Sequence, residues 1–220
     1  YALVNELWGF MQKQKRLYVA AACLLLVAAT SYQPIIVRHD IPVEAYAADP
    51  AEYPDVFGLY KSIAGKPVCL ASIIDSHWAI TAAHCTRNSN FETQLASKGF
   101  PVTIGGKEVR IDRLETHPSW QGRAGFRVRD VALLHFDAPV NAIQPANLNT
   151  TEISVGEIVE LIGWGATGNG TIGVDGHDGM FRRAENRIDS IEDRWIVWDF
   201  DSPLSTPEKS LPLEGISGPG

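Results

Sequence analysis

The stretch Cys69-Leu-Ala-Ser-Ile-Ile-Asp-Ser-His-Trp-Ala-Ile-Thr-Ala-Ala-His84-Cys85 decides how this chain is interpreted. It opens on an apolar, β-branched run that predicts a strand over Val68–Ile74, and it ends on a histidine directly before a cysteine. From these residues alone His84 is open to two roles, a catalytic base or a buried histidine beside a structural cysteine. Patterns elsewhere in the chain distinguish them.

The N-terminal region has the layout of a secretory signal peptide. Three basic residues at positions 13, 15 and 16 precede the apolar run Leu17–Ala29, and small and polar residues follow it. The run has 13 residues, whereas a membrane-spanning helix needs about 20; an uncleaved anchor is the alternative interpretation. We expect residues 1–35 to be a leader with Met11 as the translation start, and the mature protein to begin after about residue 29 to 35.

Export decides how the three cysteines are interpreted. Cys23 lies inside the apolar run and would leave with the leader, and a lipoprotein anchor is disfavoured there because the run continues beyond it. Cys69 and Cys85 remain, and two cysteines in an oxidising compartment predict one disulfide bond. We therefore expect a secreted protein, extracellular or periplasmic.

Composition favours a folded protein with a sizeable core, since 45% of the 220 residues are hydrophobic. The net charge is −7, and no long basic run follows residue 16. Both observations argue against a nucleic-acid-binding surface. We expect no nucleic-acid partner, no membrane association once the leader is removed, and a monomer.

Short β-prone runs separated by turn residues make up the chain from about residue 36 onward, with little helical periodicity. Turns and loops are predicted at Gly105-Gly106, over Gly163–Gly179 and over Asp201–Pro212. Short strands that alternate with turns in this way favour an all-β sandwich or barrel. The predicted strands are Val56–Tyr60, Val68–Ile74, Val109–Leu114, Val131–Phe136, Ile158–Ile162 and Trp195–Phe200.

The five residues Thr81-Ala-Ala-His84-Cys85 match the histidine motif of chymotrypsin-like serine proteases, and the chain resembles that family from about residue 36 to its end. The resemblance implies that His84 is the general base and acid. It also implies that Cys69, 16 positions before Cys85, is the disulfide partner that closes the loop orienting the imidazole. In the chain-entropy model a loop of this size stabilises by roughly 3 kcal/mol.

A second motif supplies the carboxylate that a histidine base requires. Asp130 opens the apolar run Val131–Leu134, as in the family's Asp-Ile/Val-Ala-Leu-Leu motif, and it lies 46 residues after His84. An aspartate before a strand is otherwise a common turn residue, so its pairing with His84 carries the assignment.

Two further stretches, Thr116–Trp120 and Gly163-Trp164-Gly165, resemble family landmarks that carry no chemistry. We therefore expect His117 on a surface loop and Trp164 packed in the second barrel.

Two other patterns suggest ligands. Gly163-x-Gly165-x-x-Gly168 satisfies the barest dinucleotide fingerprint, but the following residues, 169–176, are rich in helix breakers where a helix is needed. Asp175 and Asp178 suggest a calcium loop but lack a full set of ligands. We predict no cofactor and no metal site.

The family's nucleophile motif, Gly-Asp-Ser-Gly-Gly-Pro, does not occur in the chain. One alignment makes Gly220 its first glycine, so that the N–H of Gly220 belongs to the oxyanion hole and the serine lies beyond Gly220. The other makes residues 215–218 a degenerate motif with Ser217 as the nucleophile. We prefer the first. It predicts that the gene continues with Asp-Ser-Gly-Gly and that the 220 residues alone are inactive.

Two departures from the family pattern bear on activation and substrate preference. The residues Ile36-Val37-Arg38-His39 match only half of the activation motif Ile-Val-Gly-Gly, and no Lys or Arg precedes them, which disfavours activation by a trypsin-like cut. The position at the base of the primary specificity pocket is Ile216 or Leu211 in the two alignments. A preference for Arg or Lys in the substrate is therefore disfavoured.

The resemblance implies an all-β fold of two six-stranded antiparallel Greek-key barrels over residues 36–220, with the second barrel incomplete. The first is expected over about residues 36–135 and the partial second over about 136–220. The implied function is hydrolysis of peptide bonds in proteins or peptides through a Ser-His-Asp triad. The alternative is an inactive homologue that acts as a binding module, which the absent serine motif favours and the presence of His84 with Asp130 disfavours.

Overall fold

The computed structural model describes residues 35–61, 65, 67–87, 89–120, 129–192, 195–206 and 209–217. The predicted leader up to residue 34, with Met11 and Cys23, lies outside the described residues, and so does Gly220. Ile35, the last residue of the predicted leader, lies in the first strand. No helix in the described ranges is both long and apolar enough to cross a membrane.

Strands dominate the described residues. They are β1 (Ile35–Val37), β2 (Val56–Lys61), β3 (Pro67–Asp75), β4 (Trp78–Thr81), β5 (Phe100–Ile104), β6 (Lys107–Thr116), β7 (Ala132–Phe136), β8 (Ile158–Trp164), β9 (Thr167–Asn169), β10 (Gly173–Gly176), β11 (Phe181–Arg187), β12 (Ser190–Glu192), β13 (Trp195–Val197) and β14 (Gly215–Ser217). The helices are α1 (Ser89–Lys98) and the short 3₁₀ helices Val43–Tyr46, Pro50–Glu52 and Ala83–Thr86.

Strands β2 to β7 form one antiparallel sheet in the order β2-β3-β4-β7-β6-β5, called the first barrel below. Burial alternates along its strands, as in β7, where Ala132, Leu134 and Phe136 are buried and the residues between them are not. The outer strands β2 and β5 contact each other, so the sheet closes almost completely. Its buried core consists of Phe57, Leu59, Ala71, Ile73, Ala79, Cys85, Phe91, Phe100, Val102, Ile104, Ile111, Leu134, Phe136 and Val140.

Helix α1 is an element that the sequence did not predict. Phe91 and Leu95, four positions apart, pack against the first barrel, and most of the other helical residues are exposed. Two apolar positions in one short helix give too weak a periodicity to recognise. The ring centroids of Phe91 and Phe100 lie 4.6 Å apart. Gly99, with a φ of 77°, ends the helix and leads into β5.

The remaining strands form a second sheet group. In its four-stranded sheet, of order β10-β9-β1-β14, β1 lies between β9, which is parallel to it, and β14, which is antiparallel. Strands β8 and β11 form one antiparallel pair, and β12 and β13 form another. Ile35, Val37, Tyr46 and Ala184 are the buried core of this group.

Strands β9 and β10 lie within Gly163–Gly179, where the sequence predicts a loop, and that prediction is wrong. A side chain at Gly168 would place its Cβ atom 1.9 Å from the carbonyl oxygen of Gly173. Glycine is therefore what allows these two strands to approach each other. The glycine content that suggested a loop serves close strand packing instead.

The predicted all-β fold is confirmed by the nearly closed first barrel and the second sheet group. Strands begin at Val56, Ile158 and Trp195 as predicted, although the last of these ends at Val197. Gly105-Gly106 forms a turn, and the described part of Asp201–Pro212 contains no helix or strand, also as predicted. The limits of the two barrels stay predictions.

Candidate active site

His84 lies in the 3₁₀ turn that follows β4. Its neighbours Ala83, Cys85 and Thr86 are buried, and the Thr86 hydroxyl donates a hydrogen bond to the Ala83 carbonyl at 2.8 Å. The side chain of His84 remains 20% exposed. The backbone of the turn is thus fixed in the interior while the imidazole reaches the surface.

A disulfide joins Cys69 of β3 to Cys85, with 5.8 Å between the two Cα atoms, and confirms the predicted pairing. The loop that it closes contains the whole of β4, and Cys85 packs in the core of the first barrel. A closed loop of this size contributes roughly 3 kcal/mol to stability. The bond fixes the turn that carries His84 to a neighbouring strand.

Strand pairing brings Asp130 to His84 across 46 positions of sequence. Thr81 at the end of β4 pairs with Ala132 at the start of β7. The residues that follow β4 and those that precede β7 therefore meet at the same edge of the first barrel.

A tight turn places the carboxylate of Asp130. Arg129 adopts a φ of 60°, which is uncommon for a residue with a side chain, and the N–H of Val131 donates to the Arg129 carbonyl at 2.8 Å. The N–H of His117 donates to the Val131 carbonyl at 3.0 Å. This turn is fixed to the segment after β6 just before β7 begins.

Both carboxylate oxygens of Asp130 accept hydrogen bonds from His84. Oδ2 accepts from Nδ1 at 2.7 Å, and Oδ1 accepts from the backbone N–H at 2.8 Å. The Asp130 side chain is only 10% exposed, so water competes weakly for these bonds. Because a carboxylate can only accept, Nδ1 carries the proton and Nε2 is the basic atom of the ring.

The basic nitrogen of His84 has no serine partner in the described part of the chain. Nε2 lies 3.6 Å from the Sγ atom of Cys85. Ser217 is exposed, lies in β14 opposite Ile35, and forms no hydrogen bond with His84. The structure therefore brings together the predicted base and carboxylate but not the alternative nucleophile.

One group of potential metal ligands occurs among the described residues, formed by Cys69, His84 and Cys85, whose ligand atoms lie within 4.8 Å of one another. Both sulfur atoms belong to the disulfide, whereas cysteine binds metals as a thiolate. These three residues therefore do not form a metal site.

The sequence patterns that suggested a calcium ion and a dinucleotide form ordinary structural contacts instead. The carboxylate of Asp178 accepts hydrogen bonds from the buried guanidinium of Arg182, which lower the pKa of Asp178 to about 2. Asp175 lies in the exposed strand β10. After Gly163-x-Gly165-x-x-Gly168 comes β10 and not the helix that a dinucleotide would need.

The two family landmarks have the surroundings expected of them. His117 lies in an exposed turn, where its Nδ1 atom accepts the N–H of Ser119 at 3.1 Å. Trp164 of β8 packs against Phe181, with 4.4 Å between the ring centroids.

Sequence reasoning missed Glu214, whose side chain is fully buried in the turn before β14. Its carboxylate accepts the backbone N–H groups of Asp201 and Leu211, and desolvation raises its pKa. The sequence offers one signal, a single acidic residue inside the apolar run Leu211-Pro-Leu-Glu-Gly-Ile216.

Comparison with known families identifies the chain. The Trypsin family model matches residues 43–177, more than half of the sequence, and this range contains His84 and Asp130. The protein belongs to the trypsin family. The trypsin-family match begins after Ile36-Val37-Arg38-His39, so the departure from the activation motif lies outside it.

Snake venom proteins are among the trypsin-family relatives. The chain is 27% identical over 118 residues to the thrombin-like enzyme flavoxobin of Protobothrops flavoviridis, covering 52% of this chain and 45% of the relative. It is 29% identical over 124 residues to the snake venom serine protease KN13 of Trimeresurus stejnegeri, covering 52% and 44%. A snake venom serine protease homolog of Bothrops jararacussu is 27% identical over 124 residues, covering 52% and 45%. The chain thus spans about half the length of the relatives it matches.

Among solved structures, the chain is similar to neuropsin, a serine protease expressed in the limbic system of mouse brain. The TM-score is 0.51 at 18% identity, covering 66% of this chain and 64% of neuropsin. At this identity the likeness concerns the fold alone. It agrees with the predicted chymotrypsin-like architecture of a trypsin-family protein.

Proposed function

We propose that the full-length protein is a secreted serine endopeptidase in which His84 is the general base and Asp130 the carboxylate that orients it. The observation that carries the proposal is the pair of hydrogen bonds that the Asp130 carboxylate accepts, one from the ring and one from the backbone N–H of His84. The disulfide beside His84 supports it, because it restricts where the imidazole can point.

The two residues divide the work of proton transfer. Asp130 holds the Nδ1 proton, so Nε2 is free to take the proton of a serine hydroxyl as the oxygen attacks the peptide carbonyl. The resulting imidazolium is stabilised by the neighbouring carboxylate. Nε2 then donates the proton to the leaving amine, and a water molecule repeats the sequence to release the acyl group.

The nucleophile in this proposal is a serine beyond Gly220, with the N–H of Gly220 in the oxyanion hole. Two observations support it over Ser217. The hydroxyl of Ser217 forms no hydrogen bond with His84, and its backbone pairs in register with Ile35. A family nucleophile needs an exposed turn whose N–H groups are free to hold the oxyanion.

The proposed substrates are proteins or peptides, as for the relatives named serine proteases. Ile216 of β14 occupies the base of the primary pocket in the preferred alignment, so we expect an apolar preference over Arg or Lys. We further propose secretion after cleavage between about residues 29 and 35, action as a monomer, and no cofactor. N-terminal sequencing of secreted material would test the cleavage site.

Labelling of the full-length gene product with a fluorophosphonate tests the reaction class, because this probe reacts with an activated serine. We expect the unmodified protein to label and His84→Ala to abolish labelling. His135→Ala is the matched control, since this histidine also pairs with an aspartate, Asp112, but on the exposed face of β6 and β7, and it should label normally. A folded full-length protein that does not label would contradict the proposal and favour the inactive binding module.

A further inference from the structure

A contact between the side chains of Arg87 and Trp120 joins two segments that lead to the candidate active site. The guanidinium carbon of Arg87 lies 5.7 Å from the centroid of the Trp120 ring, within the range of a cation–π interaction. Arg87 is exposed and Trp120 is half-buried, so the contact forms at the surface of the protein. The segments that carry the two residues indicate what the contact holds in place.

Arg87 is fixed to the turn that carries His84. It directly follows the 3₁₀ helix Ala83–Thr86, and its backbone N–H donates to the His84 carbonyl at 3.2 Å. Cys85 of the same turn forms the disulfide bond with Cys69 of β3. Because Arg87 closes this turn, a displacement of its backbone also displaces the backbone of the base.

Trp120 is fixed to the turn that carries Asp130. Its backbone N–H donates to the His117 carbonyl at 2.9 Å. The N–H of His117 donates at 3.0 Å to the carbonyl of Val131, the residue directly after Asp130. Two successive backbone hydrogen bonds thus connect Trp120 to the chain beside the carboxylate.

The contact between Arg87 and Trp120 therefore closes a ring of interactions around the base and its carboxylate. On one side of the ring, the Asp130 carboxylate accepts two hydrogen bonds from His84. On the other side, the cation–π contact joins the same two turns independently of those hydrogen bonds. Two connections restrict the relative movement of the turns more than one connection does.

We infer that Arg87 and Trp120 are positioning residues for the proposed peptidase reaction: their contact fixes the turn of His84 relative to the turn of Asp130 and so preserves the hydrogen bond from Nδ1 to the carboxylate. This inference rests on the proposed function. Arginine suits the position because its planar guanidinium stacks on aromatic rings, and tryptophan is the aromatic residue that attracts a cation most strongly. Lysine keeps the charge but lacks the planar group.

A second contact of the same kind provides a matched control. The guanidinium carbon of Arg113 lies 4.9 Å from the centroid of the Trp78 ring, and Trp78 contacts the ring of His135. His135 pairs with Asp112 on the exposed face of β6 and β7. The Arg113 contact is thus the closer of the two, but it lies beside a histidine–aspartate pair that has no proposed part in catalysis.

The test is a double-mutant cycle in the full-length gene product, with Arg87→Met, Trp120→Leu and the two combined. Methionine and leucine keep an apolar side chain but remove the guanidinium and the ring. The active sites are titrated with a fluorophosphonate, and kcat and KM are measured per titrated site. Mere loss of folded protein lowers the number of sites but leaves kcat per site unchanged.

We expect each single substitution to lower kcat per site by about threefold or more with a smaller change in KM, because small displacements of reacting groups have large effects on rate. The double variant should have about the kcat of the slower single variant, since residues in contact have non-additive effects. Arg87→Lys should restore part of the kcat lost in Arg87→Met. Arg113→Met should stay within about twofold of the unmodified protein.

Two results of the cycle would overturn the inference. One is an unchanged kcat per site in folded Arg87→Met. The other is a double variant in which the effects of Arg87→Met and Trp120→Leu simply multiply, because the two residues would then act independently.

Exchange of the Nδ1 proton of His84 with water gives a second measurement, which needs no nucleophile. Proton NMR follows this proton, and its absence in His84→Ala assigns it. Exchange should be faster in Arg87→Met than in Arg113→Met, because the hydrogen bond to Asp130 opens more often. Equal exchange rates in the two folded variants would overturn the inference.

The two measurements separate failure of the inference from failure of the proposed function. A folded unmodified protein with no titratable serine contradicts the proposed function itself. Proton exchange in that protein still decides whether the contact between Arg87 and Trp120 fixes the pair of His84 and Asp130.

Discussion

Asp130 at the edge of the first barrel and Glu214 in the second sheet group are both largely buried carboxylates, each with two oxygens that accept hydrogen bonds. Asp130 gives one oxygen to a backbone N–H and the other to the ring of His84. Glu214 gives both oxygens to backbone N–H groups. The Asp130 carboxylate therefore orients a side chain, and the Glu214 carboxylate orients two backbone segments.

This difference explains why one carboxylate is recognisable in the sequence and the other is not. A carboxylate that orients a histidine belongs to a pair of side chains, and both residues are recognisable in sequence motifs. A carboxylate that binds peptide groups has partners that every residue except proline can provide.

Asp130→Asn should have the largest effect in the full-length protein. The amide leaves the shape of the site but favours the wrong tautomer of His84, and the corresponding change in the Ser-His-Asp triad described for the chymotrypsin-like fold lowers kcat by about 10⁴-fold. We expect a loss of that order in the turnover of a peptide substrate.

Asp112→Asn is the matched control for Asp130→Asn. Asp112 also binds a histidine, His135, with 2.6 Å between Oδ1 and Nδ1, but this pair lies on the exposed face of β6 and β7. Turnover should change by less than about twofold. Equal effects of the two substitutions would show that a His-Asp pair alone does not identify the site.

Replacing Cys69 and Cys85 together with serine should have the next largest effect. The disulfide restricts the unfolded chain and fixes the turn of His84, so the free energy of unfolding should fall by about 3 kcal/mol. Chemical denaturation of the oxidised protein and the double variant measures the difference. An unchanged midpoint would mean that the barrel alone fixes this turn.

The smallest predicted effect is a pH dependence of stability that depends on Glu214. Burial raises its pKa above the ordinary value of 4.5, and the neighbouring Asp201 carboxylate acts in the same direction, while the two N–H donors oppose it. Arg38 and Tyr46 also face this carboxylate. A raised pKa in the folded state means that the contribution of Glu214 to stability is full below about pH 4.5 and declines as the pH rises through the folded pKa.

Unfolding of the unmodified protein and of Glu214→Gln between pH 4 and pH 8 tests this direction. The stability of the unmodified protein relative to the variant should decrease with rising pH. An increase would mean that the two N–H donors outweigh desolvation.

The sequence predicted the fold class and the two members of the candidate site because their signals are local. His84 and Asp130 each begin or end a β-prone run, and pairing of Thr81 with Ala132 then brings them together. Helix α1 escaped prediction because its contact with the barrel rests on few apolar side chains. Glu214 escaped because its partners are backbone groups 3 and 13 positions away, which no side-chain pattern reveals.

The central proposal is that His84 and Asp130 of the first barrel are the base and carboxylate of a serine peptidase whose nucleophile follows Gly220. Peptide mapping of the full-length protein after fluorophosphonate labelling tests it most directly. We predict a single modified serine in the peptide that follows Gly220, and no modification when His84 is replaced by alanine. Modification of Ser217, or a folded protein without any modified serine, would contradict the claim.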